Sequence, residues 1–171
     1  MQALDANGVT LHVKEAGDPN GAPVVFANSL GTDLRLWDAL IPLLPSGLRL
    51  IRYDKRGHGL SACPDGPYSI DDLTQDANAV IDGLELGPVT FVGLSIGGLI
   101  GQNLSARRPD LVRALVLSNT ATRMGDTVTW VDRIAAINSD GLSSMEGAIL
   151  DRWFGPTFRN TPEAALWGAM L

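Results

Sequence analysis

Residues Val89-Thr90-Phe91-Val92-Gly93-Leu94-Ser95-Ile96-Gly97-Gly98 join an apolar run to a helix-like segment through the pattern G-x-S-x-G. A serine on such a sharp strand-to-helix turn is exposed as a nucleophile beside a helix N-terminus, the arrangement needed for attack on an acyl carbon. Glycines at 93 and 97 let the backbone crowd around Ser95, and the N–H of Ile96 opens the helix where it can donate to a developing oxyanion. The hydroxyl also needs a base. The only two histidines are His12, inside an alternating strand, and His58, inside a Gly-His-Gly turn. Both read as structural, His58 as a brace for the loop below the site.

The elements that must position this serine follow from periodicity. Val9–Glu15 alternates like a half-exposed strand, Pro23–Ala27 reads as a buried one, and Leu48–Tyr53 as a third. Leu34, Trp37, Leu40, Ile41 and Leu44 recur at helical spacing behind a cap at Thr32 or Asp33, predicting a helix there. Ser69-Ile70-Asp71-Asp72 is a helix start, with Leu73, Ala77, Val80, Ile81 and Leu84 on one face. Val89–Val92 is a strand, Gly97–Arg108 a helix stopped by Pro109, and Val112–Leu117 a fourth buried strand. Alternation of this kind predicts an α/β fold: a mostly parallel, doubly wound sheet covered by helices. From Thr127 onward only helical signals remain, at Thr129–Ile137, Ser143–Phe154 and Pro162–Leu171. The expected division is residues 1–122 as the N-terminal part of a core domain and 123–171 as an incomplete helical cap.

Composition narrows the classes. The 171 residues are 45% hydrophobic with a formal net charge of −6, and the basic residues are scattered. That argues for a globular chain and against general binding to nucleic acid or anionic membrane, both of which attract clustered Lys and Arg. A single cysteine, Cys63, excludes an intramolecular disulfide and any multi-cysteine zinc site. With no signal-peptide pattern and no apolar run near 18 residues, a cytoplasmic protein is expected.

Gly93-Leu94-Ser95-Ile96-Gly97-Gly98 together with Tyr53-Asp54-Lys55-Arg56-Gly57-His58-Gly59-Leu60-Ser61 resembles the α/β-hydrolase family. More narrowly, Phe26-Ala27-Asn28-Ser29-Leu30-Gly31-Thr32-Asp33, Ser118-Asn119-Thr120-Ala121 and Arg152-Trp153-Phe154 are similar to the 3-oxoadipate enol-lactonases of bacterial aromatic catabolism. Most relatives of the fold carry His-Gly where Asn28-Ser29 stands. The resemblance implies that the second oxyanion donor is the N–H of Leu30, with Asn28 bracing its loop. It also implies the order serine, acid, histidine. Asn119 is an amide and cannot serve as the acid, and Asp126, Asp132, Asp140 and Asp151 fall in the helical segment as caps or solvated faces. The acid, the base and the C-terminal strands are therefore expected beyond residue 171.

The implied reaction is opening of a carboxylate-bearing enol-lactone by Ser95, with Ile96 and Leu30 as oxyanion donors and no metal or organic cofactor. Trp130 and Arg133, three apart on a helix, are the candidate substrate residues: a cation for the carboxylate and an apolar wall for the ring. Two alternatives stand beside it. One is a related esterase, perhydrolase or acyltransferase using the same serine; the other is an inactive partial fold that works with a complementing C-terminal chain or by self-association.

Overall fold

The computed structural model describes residues 2–171 and divides into two compact units, one ending at Thr122 and the other spanning Arg123–Leu171. In the first, a six-stranded sheet is built from β1 (Gln2–Ala6), β2 (Val9–Gly17), β3 (Ala22–Ala27), β4 (Leu48–Tyr53), β5 (Val89–Leu94) and β6 (Val112–Ser118). Their spatial order is β1-β2-β4-β3-β5-β6; β1 and β2 run antiparallel to their neighbours, and β4, β3, β5 and β6 are mutually parallel.

Side-chain alternation divides the core. Val25, Ala27, Ile51, Tyr53 and Phe91 face helices α1 (Ile70–Gly83) and α2 (Ile96–Arg107), whose Leu73, Ala77, Val80, Ile81, Ile100 and Leu104 complete the larger cluster. Val24, Phe26 and Leu50 face the other way and pack with Trp37, whose ring lies 5.1 Å from that of Phe26. Helix α1 starts where the sequence places it. Ser69 Oγ accepts from the Asp72 N–H and the Asp72 carboxylate accepts from the Ser69 N–H, a reciprocal cap worth about 1 kcal/mol.

Two expectations need correction. The helix over Leu34–Leu44 is two short 3-10 turns, Leu34–Trp37 and Ile41–Leu43, the first capped by Asp33. Pro42 has no N–H for a continuing helix and its ring would clash one turn back, so the apolar spacing is satisfied by two fragments. In strand β6, read as buried, Val116 and Leu117 are exposed among the described residues. Strand β1, five residues long, has no counterpart among the expected elements.

The second unit is helical: α3 (Thr127–Asp140), a 3-10 turn at Leu142–Met145, α4 (Glu146–Trp153), α5 (Pro156–Arg159) and α6 (Pro162–Gly168). The Asp126 side chain caps α3 by accepting from the Thr129 N–H. Phe154 is the hub of its small core, with ring centroids 4.7 Å from Phe158, 5.3 Å from Trp167 and 6.2 Å from Trp153. Among the described residues no helix is long and apolar enough to cross a membrane.

Candidate active site

Open parallel sheets bind ligands outside the carboxyl ends of their strands, where successive connections leave in opposite directions. Here that point lies between β3 and β5: the chain leaves β3 toward β4 on one side and leaves β5 toward β6 on the other. Ala27 at the end of β3 pairs with Gly93 near the end of β5, so the segments 28–33 and 94–96 emerge side by side. Leu30, Ser95 and Ile96 are thus brought to one edge.

Ser95 occupies φ 56° and ψ −118°, a backbone conformation that costs a residue with a Cβ about 1–3 kcal/mol. The surroundings hold it there. Its N–H donates to the Ser118 carbonyl at 3.0 Å, and its own carbonyl accepts from Thr120 Oγ1 at 2.8 Å. The flanking glycines are required by space. A Cβ at Gly93 would lie 2.3 Å from the Gly97 carbonyl oxygen, and one at Gly97 would lie 2.1 Å from the Ala27 carbonyl oxygen. Gly97→Ala must push α2 away from β3, and the expected result is a loss of about 1–3 kcal/mol in urea unfolding together with a sharp fall in turnover.

The segment 28–32 is tied down at nearly every polar group. The Asn28 amide, fully buried, accepts from Trp37 Nε1 at 3.0 Å and donates to the carbonyls of Tyr53 and Thr32. The Ser29 carbonyl accepts from Lys55 Nζ at 2.9 Å, Thr32 Oγ1 at 2.9 Å and the Thr32 N–H at 3.3 Å. The Gly31 N–H donates to His58 Nε2 at 3.2 Å. Among the described residues, the N–H groups of Leu30 and Ile96 meet no acceptor in the chain.

The loop after β4 supplies these ties and is itself anchored. The Asp54 carboxylate accepts from the N–H groups of Leu34 (2.7 Å) and Leu60 (3.0 Å) and lies 2.7 Å from His12 Nδ1. Arg56 reaches Asp76 of α1 through two hydrogen bonds of 2.7 and 2.6 Å. His58 Nδ1 lies 3.0 Å from the Arg56 carbonyl, which makes Nδ1 the protonated nitrogen and Nε2 the acceptor for Gly31. Burial, reinforced by the nearby Lys55 charge, lowers the His58 pKa to about 4, so the ring stays neutral near pH 7. Both histidines are therefore engaged away from Ser95. Burial also lowers the Lys55 pKa to about 7, against the opposing attraction of Asp54 and Asp33.

Trp130 and Arg133 lie on α3 in the second unit. The Arg133 guanidinium sits 5.4 Å from the centre of the Trp130 ring, and Trp130 Nε1 donates to the Met124 carbonyl at 2.8 Å. Burial, with the Arg152 charge second, lowers the Arg133 pKa. Among the described residues neither Arg133 nor Arg152 pairs with a carboxylate, and no three His, Cys, Asp or Glu side chains cluster as a metal site.

A parallel sheet with a strained serine at its switch point, between strand and helix, defines a class. The chain belongs to the α/β-hydrolase fold family, whose model matches residues 22–160. It is 37% identical to 3-oxoadipate enol-lactonase 2 of Acinetobacter baylyi over 94% of this chain and 60% of that protein. It is 31% identical to 3-oxoadipate enol-lactonase 1 of the same organism, over 92% and 59%. Among solved structures it is similar to the enol-lactonase from Burkholderia xenovorans LB400, with a TM-score of 0.94 and 36% identity, covering 99% of this chain and 66% of that one. The chain spans about 60% of the length of the curated relatives it matches.

Proposed function

We propose that the chain carries the nucleophile and oxyanion site of a serine hydrolase that opens a carboxylate-bearing enol-lactone to 3-oxoadipate. The observation that carries this reading is Ser95, held in strained backbone at the switch point beside two unpaired N–H groups. Ser95 Oγ attacks the lactone carbonyl, and the tetrahedral oxygen accepts from the Ile96 and Leu30 N–H groups. Collapse breaks the ring C–O bond, the enol oxygen leaves with a proton and ketonises, and water then cleaves the acyl-serine. Because His12 is paired with Asp54 and both His58 nitrogens are occupied, the base in this reading is a histidine outside residues 1–171.

The lactone, rather than a simple ester, is favoured by its named relatives and by Arg133, a cation without a carboxylate partner stacked on Trp130. Those two residues are proposed to receive the substrate carboxylate and the ring. The test is a substrate panel with the complete gene product. The enol-lactone should be preferred over neutral esters of similar size, and Arg133→Ala should raise KM for the lactone about tenfold while leaving neutral-ester KM unchanged. A panel in which neutral esters are turned over better would end the lactonase reading and leave an esterase.

A further inference from the structure

Three donors converge on one carbonyl oxygen, that of Ser29: Lys55 Nζ and Thr32 Oγ1 at 2.9 Å and the Thr32 N–H at 3.3 Å. This carbonyl belongs to the same peptide unit as the Leu30 N–H, and in a planar trans peptide the two point in opposite directions. Whatever holds the oxygen therefore aims the hydrogen. The next peptide is held through its own N–H, which Gly31 donates to His58 Nε2. Leu30 N–H is left as the unpaired donor between two clamped groups.

One of the three donors is an ammonium with 1% residual exposure. Placing a Lys head group in the interior is costly unless it is compensated, and a carbonyl can be satisfied by neutral donors such as the two from Thr32. A buried cation is therefore more than the carbonyl needs. A charged donor makes a stronger bond than a neutral one and polarises the peptide it touches, so the N–H at the far end becomes the better donor. The groups facing the ammonium are Asp33 from the loop after β3 and Asp54 and His58 from its own loop, Asp54 being shared with His12 of β2.

We propose that Lys55 is a positioning residue of the oxyanion site, fixing and polarising the Ser29–Leu30 peptide so that the Leu30 N–H is presented to the tetrahedral oxygen. This rests on Ser95 and Leu30 acting as set out under Proposed function. Lys55 touches neither substrate nor the reacting atoms. It acts through one peptide bond, and its charge is at stake near neutrality, where a pKa of about 7 leaves the side chain part protonated.

The test compares Lys55→Met, which removes the donor, with Lys55→Gln, which keeps a neutral donor, and with Ser95→Ala, all in the complete gene product. Lys55→Met should lower kcat by about tenfold to a hundredfold at nearly constant KM, with Lys55→Gln between it and the parent. A role confined to packing would move the unfolding midpoint without that graded kcat order. In the unsubstituted protein, the Leu30 amide resonance should shift with a midpoint near pH 7, and this titration should be absent from Lys55→Met. A folded Lys55→Met with unchanged kcat would overturn the inference. So would a Leu30 amide that stays unmoved while the Lys55 ammonium itself titrates, a measurement that needs neither turnover nor a folded variant. Turnover that survives Ser95→Ala would instead bring down the reaction reading itself.

Discussion

Ser95→Ala is expected to abolish turnover of every acyl substrate, by a factor on the order of a million in kcat, with KM little changed. In the proposed reaction the hydroxyl is the group that forms the covalent bond, and alanine offers nothing in its place. The residual rate should be that of an oxyanion site without its nucleophile, still somewhat above water. Alanine keeps the Cβ and so keeps the unfavourable φ of 56°, which means stability should barely change. Ser95→Gly should be as inactive but more stable, because it removes the steric penalty. Steady-state kinetics on the lactone and urea unfolding of both variants check the pair.

Asp76→Ala should destabilise the protein by about 3–5 kcal/mol. Asp76 is buried on α1 and accepts two hydrogen bonds from the Arg56 guanidinium and one from the Asn7 side chain. Removing it strands a mostly buried cation that is costly to leave unpaired. The damage should not stay local. Arg56 precedes Gly57 and His58, so loosening it frees the ring that accepts from Gly31, and turnover should fall along with the unfolding midpoint. Arg56→Met combined with Asp76→Leu, which removes both charges, should recover much of the stability in equilibrium unfolding. A double variant no more stable than Asp76→Ala would show that packing, and not the lone charge, sets the cost.

What could be read in the residues was what is locally encoded. The Ser69-x-x-Asp72 cap contains both of its hydrogen-bonding groups, and helix α1 begins there. The apolar runs of β3, β4 and β5 and the G-x-S-x-G turn are equally self-contained, and they locate the candidate nucleophile. What escaped depends on neighbours far along the chain. Nothing local marks Lys55, and only the approach of Ser29 and Asp33 from another loop makes it a buried donor. The spacing from Leu34 to Leu44 suggested one helix because periodicity counts apolar positions, while Pro42 acts through a missing N–H.

The ties on the 28–32 segment also carry a temporal meaning. Its partners are Trp37, Tyr53, Lys55 and His58, and Asp54 is held by His12, Leu34 and Leu60. All of these precede Ser95 in the chain, and synthesis proceeds from the N-terminus. Every residue that tethers this segment through a side chain is therefore made before Ser95. The strand pairing of β3 with β5, which joins Val24 to Thr90, is the long-range contact that brings Ser95 beside a segment whose side-chain partners all precede it in the chain.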